Sequence, residues 1–340
     1  MTSARFEAIT QAYTKLRIGL VGDFCLDRYL EVDPARQEIS LETGLPVYNV
    51  VNVRAQPGGA GTILNNLVAL GVGEIRPVGF CGEDGEGYEL RRALAAKPGV
   101  RLDDFFTTTD RRTFTYCKPL LMHPGKPPIE LNRLDSKNWS PTPASLQEQL
   151  AQALARLADE VDAFILLDQV DVPETGVITT RVLQAISSVA TENPNLLILA
   201  DSRRGLRGFA NVTFKMNRAE LALLAGENAE LDVETAKRLA LDLANRQSRD
   251  VFVTLAEHGM LGASPEALCE HIPAHPVHGP IDIVGAGDAV TANLAAARAA
   301  GASIGEALQL ANAAASIVIH QLGTTGTASV EQIRNALAPL

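Results

Sequence analysis

The chain has 340 residues, of which 46% are hydrophobic and 21% are charged, as is ordinary for a soluble globular protein. Its formal net charge of −10 argues against nucleic acid or an anionic membrane surface as the main partner, so any bound phosphate must be held by local amides, a few cations or Mg²⁺. The sequence contains no apolar run long enough to span a bilayer, and its first residues lack the apolar core of a signal peptide, so we expect a cytoplasmic protein without a membrane partner.

The first hundred residues predict helices and strands in alternation around one β-rich interruption. In chain order the predicted elements are a helix over 2–16, a buried strand over 17–23, a helix over 62–70, a strand over 75–80 and a helix over 88–96. The interruption contains strand patterns at 29–32 and 45–53 with no helix between them. This β-rich stretch does not fit the rhythm of the elements around it.

A second β-rich stretch follows, with predicted strands over 112–118 and 129–135. After it the pattern alternates strictly, with helices over 146–157, 177–190 and 233–246 that precede strands over 163–167, 196–200 and 251–255. Such alternation predicts a mainly parallel sheet covered by helices on both faces, a three-layer α/β/α fold. We expect the two β-rich stretches, 28–55 and 111–135, to form a small lid sheet over the carboxyl end of the main one. The whole chain, 1–340, is then one catalytic unit with two lid insertions.

The four cysteines are scattered without a CxxC pair, at Cys25, Cys81, Cys117 and Cys269. This spacing favours free, buried thiols over a redox or zinc site. His271, His275 and His278 lie closer together and leave a metal site as an alternative. Two prolines interleaved with these histidines favour an extended connector instead.

The most informative segment is 282–288, DIVGAGD, which runs directly into the apolar stretch 289–297. Its glycines allow backbone N–H groups to turn inward where a helix begins, and such a helix start binds anions. A carboxylate at Asp288 would repel a phosphate that is held there permanently. It is useful, however, if Asp288 accepts a proton from a hydroxyl while the amides of Gly285, Ala286 and Gly287 stabilise a phosphoryl group in transit. The alternative is a glycine-rich turn in which Asp288 caps the helix.

These residues do not stand alone, and together they resemble the ribokinase-like, or PfkB, carbohydrate kinases over residues 17–333. The matching motifs occur in the order that the family shows: Gly22-Asp23 after the first strand, Gly58-Gly59-Ala60 before a helix, 78–87, Asn217-x-x-Glu220, 254–259, 282–288 and 311–313. The resemblance implies the ribokinase-like fold and an ATP-dependent kinase that phosphorylates a hydroxyl. It also implies Mg²⁺ and leaves room for a monovalent cation.

Within that family the chain is most similar to the kinase part of the heptose-7-phosphate kinase/adenylyltransferase proteins. The similarity lies in the segments 22–29 (GDFCLDRY), 133–135 (RLD), 311–315 (ANAAA) and 322–324 (LGT). The 340 residues contain no HxGH-type nucleotidyltransferase segment, so we expect only the kinase half.

Three positions depart from the pattern of these relatives. Thr62 stands where the family has an asparagine that holds a sugar hydroxyl, Glu38 replaces an arginine of the lid, and Gln169 replaces a tyrosine after Asp168. A carboxylate at position 38 would repel a phosphorylated sugar unless Arg36 or Arg133 neutralises it. Phosphoryl transfer is therefore better supported than heptose 7-phosphate as the substrate.

The resemblance also implies roles for individual residues. It implies that Asp23 binds substrate hydroxyls and that Gly58 and Gly59 allow the backbone to approach the sugar. Asp168, at the carboxyl end of a predicted strand, is a further candidate for substrate contact. On the lid, Lys118 and Arg133 are candidates for an anionic group of the substrate. The alternatives are a turn aspartate for Asp23 and solvated edge-strand charges for the two lid cations.

The nucleotide is expected at Asn217, Thr254, Gly259 and Asn312, with Glu220 as the residue for Mg²⁺. Asn217 and Glu220 are one helical turn apart and face the same side, which favours a joint role near Mg²⁺ and the phosphates; the alternative is an N-cap with a first-turn acid. Arg203 and Arg204 follow the strand at 196–200 and are candidates for ATP phosphates.

Three functions remain open from the sequence. The first is a kinase for a sugar phosphate such as heptose 7-phosphate, and the second is a kinase for a neutral sugar or a nucleoside. The third is a sugar- or nucleotide-binding protein that kept the fold without activity. Because a lid sheet exposes an apolar face unless something covers it, we also expect a homodimer through the lid.

Overall fold

The computed structural model describes residues 1–227, 230–265 and 268–338. Its strands are β1 (Arg17–Gly22), β2 (Phe24–Val32), β3 (Glu38–Ile39), β4 (Pro46–Val47), β5 (Val50–Gly59), β6 (Glu74–Gly82), β7 (Phe105–Thr108), β8 (Thr115–Leu121), β9 (Ile129–Glu130), β10 (Ala163–Asp168), β11 (Leu197–Ser202), β12 (Thr213–Asn217), β13 (Val251–Thr254), β14 (Met260–Ala263) and β15 (Cys269–Ile272). Its α-helices are α1 (Ser3–Ala12), α2 (Ala60–Ala69), α3 (Gly85–Ala95), α4 (Ala144–Leu157), α5 (Thr180–Glu192), α6 (Arg218–Ala225), α7 (Val233–Gln247), α8 (Ala286–Ala299), α9 (Ile304–Val318) and α10 (Val330–Leu337).

Nine of the described strands form the main sheet, in the order β15-β14-β13-β12-β11-β10-β1-β6-β7. Neighbours pair in parallel from β7 to β13, and the last two pairings, to β14 and β15, are antiparallel. Strand β10 has the sequence AFILLD with every residue buried, as expected of a strand that is covered on both faces. The parallel strands place their carboxyl ends along one edge of the sheet.

Helices cover both faces of this sheet, and each face has its own core. One core packs residues of α1, α2, α3, α8, α9 and α10 against the sheet, and the other packs residues of α4, α5, α6 and α7. This arrangement confirms the predicted three-layer α/β/α fold with a mainly parallel sheet. No helix of the described residues is both long enough and apolar enough to cross a membrane.

The lid is a separate four-stranded sheet in the order β5-β2-β8-β9. Strand β2 pairs antiparallel with β5 and parallel with β8, while β3 and β4 form a small hairpin of their own. Both β-rich stretches of the sequence thus contribute to one sheet outside the main one. The lid strands are rooted in the core, since β2 begins two residues after β1 ends and β5 ends directly before α2.

Several element boundaries differ from the sequence expectation. The strand predicted over 129–135 forms only at Ile129–Glu130, and the one predicted over 45–53 is divided between β4 and the start of β5. Strands β7, β14 and β15 were not predicted. Each has only four residues, too few to show a clear hydrophobic period.

Candidate active site

A cavity of about 520 Å³ lies between the carboxyl edge of the main sheet, the start of α8 and the lid. We call two of its sides the floor and the lid wall. The floor consists of the lining residues Asp201, Lys215 and Asp288, together with Thr291, which is buried behind them. The lid wall consists of the lining residues Tyr116, Lys118, Arg133 and Lys137, together with Tyr29, whose ring lies behind Lys118. The cavity has the position at which open α/β sheets bind ligands.

Asp288 lies in the first turn of α8, at the bottom of this cavity. The helix begins after Gly285, whose φ of 82° is readily adopted only by glycine, and Ala289 N–H donates to the carbonyl of Gly285 at 3.0 Å. The N–H groups at such a helix start lack intrahelical partners and can meet an anion. The predicted helix start is therefore confirmed, and Gly285, Gly287 and Asp288 all line the cavity. The expectation that the N–H of Ala286 meets an anion is wrong, because this N–H donates to the carbonyl of Ile283 at 3.2 Å.

The surroundings of Asp288 favour its neutral form more than water does. Burial and the negative charge of Asp201 raise the pKa of Asp288 to about 7, although the positive charges of Lys215 and Arg203 oppose the shift. A carboxyl group with a pKa near neutrality is suited to accept and return a proton under physiological conditions.

The floor is held by hydrogen bonds that converge on Asp201, the fifth residue of β11. Lys215 Nζ donates to Asp201 Oδ2 at 2.7 Å, and Thr291 Oγ1 donates to the same oxygen at 2.9 Å. Thr291 Oγ1 also lies 3.0 Å from the carbonyl oxygen of Gly287. The side chain of Lys215 is only 8% exposed, so a cation is fixed beneath the start of α8.

The lid wall carries three cations that lie over aromatic rings. Lys118 Nζ is 5.4 Å from the centre of the Tyr29 ring, and Arg133 and Lys137 lie 4.9 and 5.9 Å from the centre of the Tyr116 ring. These distances are within the range of cation–π attraction. The wall therefore brings three cationic side chains to the cavity, where the carboxylates of Asp27, Asp135 and Asp171 also belong to the lining.

Two of the three cations also have carboxylate partners. Arg133 pairs with Asp135 at 3.0 Å, and Lys137 pairs with Asp171 at 2.9 Å. The sequence-based suggestion that Arg36 or Arg133 neutralises Glu38 is wrong, because Arg36 pairs with Asp33 and Glu38 accepts a hydrogen bond from Asn49.

The two aspartates at the start of the chain have different surroundings. Asp23, the residue expected to bind substrate, is 3% exposed, and its carboxylate accepts hydrogen bonds from the backbone N–H groups of Gln169, Val170 and Val177. Burial raises the pKa of Asp23 to about 6 against the effect of these three amides. This geometry is that of the turn aspartate that the sequence left as an alternative.

Asp27, which the sequence analysis did not select, is the aspartate that faces the cavity. Burial raises the pKa of Asp27, while the charges of Lys118 and Arg133 act in the opposite direction. A Cβ atom at Gly58 would lie 2.5 Å from Asp27 Oδ2, so glycine is needed there to make room for the carboxylate. Gly59 lines the cavity and has a φ of 58°.

Asp168 lies beneath the cavity rather than in its lining. Its side chain is 1% exposed, pairs with Arg204 at 2.8 Å and accepts a hydrogen bond from Ser202 Oγ at 2.8 Å. Of the two arginines considered for ATP phosphates, Arg203 lines the cavity, whereas Arg204 is engaged by Asp168. A direct contact of Asp168 with substrate would require this ion pair to open.

The residues expected to bind nucleotide follow the sheet edge away from the cavity. Thr254 is paired with Asn217 in the register of β12 and β13, and Gly259 follows with a φ of 86°. Asn312 is buried and donates from Nδ2 to the carbonyl of Pro273 at 2.8 Å. These four residues lie outside the lining of the cavity that holds Asp288.

Asn217 and Glu220 form a capping box at the start of α6. Asn217 Oδ1 accepts from the N–H of Glu220 at 2.9 Å, and Glu220 Oε2 accepts from the N–H of Asn217 at 2.7 Å. Glu220 also lines the cavity, and burial raises its pKa. The capping interpretation therefore describes the backbone contacts, while Glu220 is additionally placed to meet a ligand.

The donor set fits Mg²⁺ better than a metal that needs many protein ligands. Among residues 1–227, 230–265 and 268–338, no three histidine, cysteine, aspartate or glutamate side chains are grouped so that they could hold an ion by themselves. Mg²⁺ prefers oxygen and usually keeps several waters while it binds one or two carboxylates and substrate phosphates. The carboxylate of Glu220 suits that role.

Two of the three departures from the heptose kinases contribute to the cavity, because Thr62 and Gln169 both line it. Glu38 is exposed in the hairpin of β3 and β4 and is not part of the cavity lining. The repulsion that Glu38 was expected to exert on a phosphorylated sugar therefore does not act from within the cavity.

The sequence analysis missed Asp27, Lys137, Asp201 and Lys215. Lys215 left a usable signal, since it is a lysine inside the otherwise buried strand sequence TFKM, which immediately precedes Asn217. Asp27 belongs to the similar segment 22–29, but only the pleat of β2 shows that it faces the cavity.

Comparison with known proteins extends these observations. The model of the pfkB family carbohydrate kinase matches residues 22–331. The bifunctional protein HldE of Bradyrhizobium sp. (strain ORS 278) is 30% identical over 339 residues, covering 98% of this chain and 66% of that protein, and HldE of Gluconobacter oxydans (strain 621H) is 30% identical over 94% of this chain and 64% of that protein. The chain thus spans slightly less than two thirds of the length of these curated relatives.

Solved structures show the same fold. Phosphofructokinase-2 from Escherichia coli in complex with potassium superposes with a TM-score of 0.72 at 19% identity, over 94% of this chain and 98% of that one. Arabidopsis thaliana ribokinase complexed with ribose and ATP superposes with a TM-score of 0.67 at 18% identity, over 95% and 98% of the two chains.

Proposed function

The chain belongs to the pfkB family of carbohydrate kinases, and from this premise we propose that it transfers the terminal phosphoryl group of ATP to a hydroxyl of a phosphorylated sugar. A heptose 7-phosphate is the leading candidate, since the HldE proteins are relatives over nearly the whole chain. The observation that carries the proposal is that one cavity holds a carboxyl group at a helix start and a wall of cations opposite it.

In this proposal Asp288 is the general base. The hydroxyl of the sugar lies near its carboxylate and gives up its proton as the oxygen attacks phosphorus. The backbone N–H groups of Gly285 and Gly287, which line the cavity, stabilise the negative charge of the phosphoryl group while it is transferred. A pKa of about 7 leaves a substantial ionised fraction of Asp288 at neutral pH.

The lid wall positions the substrate. Lys118 and Arg133 hold the phosphate that the sugar already carries, and Asp27 accepts hydrogen bonds from sugar hydroxyls. Gly58 and Gly59 leave the room that this contact needs. In this proposal Asp23 holds the backbone and Asp168 holds Arg204 in place, which the burial and the contacts of the two aspartates support.

ATP is the co-substrate that this kinase family uses, and we place its phosphates between Arg203, Glu220 and the start of α8. Asn217, Thr254, Gly259 and Asn312 extend along the adjacent sheet edge, in the direction of the nucleoside. Glu220 would hold Mg²⁺, which neutralises phosphate charge when bound. A monovalent cation is a further candidate, since a related fold was solved with potassium.

The proposal is tested with a panel of sugars, sugar phosphates and nucleosides in an assay that couples ADP formation to NADH oxidation. We expect phosphorylated sugars, with a heptose 7-phosphate first, to give the highest kcat/KM. Activity on neutral sugars alone would move the assignment to the second candidate, which is favoured by one observation: Arg133 and Lys137 already have carboxylate partners. No phosphorylation by the intact, folded chain in the presence of Mg²⁺ and K⁺ would favour a binding protein.

We also propose that two copies associate through the lid. Residues 50–55 of β5 are exposed on both faces of the strand, and Val50, Val51 and Val53 are 45%, 49% and 45% exposed. Exposed apolar strands of this kind mark association sites. Light scattering should show a dimer, and Val51→Glu with Val53→Glu should yield a monomer. Leu223→Glu on the exposed face of α6 (Leu223 is 66% exposed) is the control that should stay dimeric. A monomeric parent protein at micromolar concentration would contradict the proposal.

A further inference from the structure

The floor of the cavity contains a buried cation, Lys215, that has no role in the reaction proposed above. Lys215 enters from β12, and Nζ lies 2.7 Å from Asp201 Oδ2. A Cβ atom built on Gly287 would be 3.3 Å from the same nitrogen. The ammonium group is therefore adjacent to the residue that precedes Asp288, under the helix start proposed to hold the phosphoryl group.

The position of Lys215 is fixed from two sides. Asp201 binds the ammonium group, and Thr291 holds Asp201 by donating to the same carboxylate oxygen at 2.9 Å. Thr291 belongs to α8 and lies within 3.0 Å of the carbonyl of Gly287, so the network joins β11, β12 and α8. A side chain that needed only to fill space could be apolar here, as its neighbours Phe214 and Met216 are.

Charged and titratable groups from several elements act on Asp288. Asp201 of β11 and Asp27 of β2 are negative, and Lys215 of β12 and Arg203, which follows β11, are positive. Glu220 of α6 lines the same cavity, and Cys25 of β2 is close enough for the charge of Asp288 to raise the pKa of its thiol. The acids outnumber the bases around Asp288, and this excess opposes its ionised form.

We propose that Lys215 is a positioning residue whose ammonium group, held by Asp201 and Thr291, stabilises the carboxylate form of Asp288 and so keeps the general base ready at neutral pH. The role of Lys215 in catalysis rests on the proposed function, whereas its effect on the ionisation of Asp288 concerns the folded chain alone. Lys215 keeps its charge in this position. Burial alone would lower the pKa of Lys215, but the charge and hydrogen bond of Asp201 outweigh burial and raise it.

The test measures the titration of Asp288 directly, by NMR of protein labelled with ¹³C at the aspartate carboxyl carbons. Asp288→Asn identifies the resonance. Lys215→Met should raise the titration midpoint of Asp288 by about one pH unit, because a nearby opposite charge is lost. Asp201→Asn should lower the midpoint by a similar amount, because a nearby like charge is lost while Lys215 remains.

Thr291→Val is the matched control, since it removes a hydrogen bond from the same network without changing charge, and it should leave the midpoint within about 0.3 pH units. A role of Lys215 in packing alone would not move Asp288 in opposite directions in the two charge variants. An unchanged midpoint in Lys215→Met, or an equal shift in Thr291→Val, would overturn the inference. If Lys215→Met does not fold, Lys215→Gln removes the same charge and leaves a polar group for Asp201, and an unchanged midpoint of Asp288 in that variant would overturn the inference.

The same variants then enter the kinase assay, where the acidic limb of the kcat/KM profile should follow the NMR midpoint: to higher pH in Lys215→Met and to lower pH in Asp201→Asn. The NMR titration needs no substrate, so failure of the proposed function leaves its outcome intact. Conversely, an active kinase in which Asp288 titrates alike in all variants would retain the function and reject the role of Lys215.

Discussion

The floor and the lid wall of the cavity are built in different ways. On the floor, Lys215 and Asp201 are buried and bonded to each other, and every contact joins elements of the main sheet or α8. On the lid wall, the cations lie over tyrosine rings with 29–40% of the side chain of Lys137 and Arg133 exposed. The side chains of the floor are therefore fixed before a ligand binds, whereas those of the lid wall can adjust to it.

This difference suits the floor and the lid wall to different tasks. Groups that stabilise developing charge act best when they are fixed before the reaction, because they need no reorganisation as it proceeds. Groups that select a substrate lose less of their effect when they are exposed to solvent and free to move. Substitutions on the floor should therefore change turnover, and substitutions on the lid wall should change substrate affinity.

The largest effect is expected from the floor. Asp288→Asn should lower kcat about 10²–10⁴-fold, the usual contribution of a general base, while the Kd for ATP changes little. Steady-state kinetics and isothermal titration calorimetry measure the two quantities. Asp242→Asn is the control, because Asp242 pairs with Arg238 on the surface of α7, with 58% of its side chain exposed, and lies outside the cavity lining, so this variant should retain activity. An unchanged kcat in Asp288→Asn would remove this residue from the mechanism.

The same substitution should change stability in a pH-dependent way. The pKa of Asp288 rises from 3.8 to about 7 on folding, so the unfolded chain ionises first as pH rises and the native state loses stability between pH 4 and 7. Asp288→Asn removes this cost and should be more stable than the parent at pH 8, by on the order of 2–4 kcal/mol, because the group is partly exposed to the cavity. At pH 4 the difference should nearly vanish.

Denaturant titrations measure the free energy of unfolding of both proteins at pH 8 and at pH 4, on either side of the pH range in which the stability is expected to change. Equal stability of Asp288→Asn and the parent at both pH values would show that the carboxyl of Asp288 is solvated. It would also contradict the description of the floor as a desolvated region.

The lid wall should respond in affinity instead. Lys118→Met and Arg133→Ala should each raise KM for a phosphorylated sugar about tenfold, equivalent to about 1.4 kcal/mol, and leave KM for ATP unchanged. Lys126→Met is the control, since Lys126 is an exposed lysine of the lid outside the cavity lining. If both substitutions instead lowered kcat without affecting KM, the contrast between floor and wall would fail.

The smallest effect concerns the capping box at the edge of the floor. Asn217→Ala should cost about 1 kcal/mol of stability through loss of the N-cap. Ser303→Ala, in the capping box of α9, should cost a similar amount and serves as the matched control. Only Asn217→Ala should also raise KM for ATP; identical kinetics in the two variants would restrict Asn217 to capping.

Within the site, the start of α8 was the part most accessible to sequence reasoning. The pattern GAGD followed by apolar residues predicts a helix start with a carboxylate, and both are set by neighbouring residues in the chain. Helix–strand alternation likewise predicts the parallel sheet, because each element is long enough to show its period. The fold class and the position of Asp288 therefore followed from local information.

The remaining site residues depend on contacts between distant segments. Whether Asp23 or Asp27 faces the cavity is decided by the amides of residues 169, 170 and 177, which no local pattern connects to the first strand. The pairing of Lys215 with Asp201 is set by the order of β11 and β12 and by the arrival of Thr291 from α8. Contacts between segments that are distant in the chain form only in the tertiary structure, so they are hard to predict from a single sequence.

The roots of the lid have a mechanical consequence. Because β2 starts two residues after β1 and β5 leads directly into α2, neither strand joins the body of the protein through a flexible linker. We therefore expect the lid to approach a ligand by elastic bending of these strands rather than by rotation about a linker. The strain of such bending would fall on the turn at Asp23, whose carbonyl accepts a hydrogen bond from the N–H of Ala60 at 3.0 Å, and so on the first turn of α2.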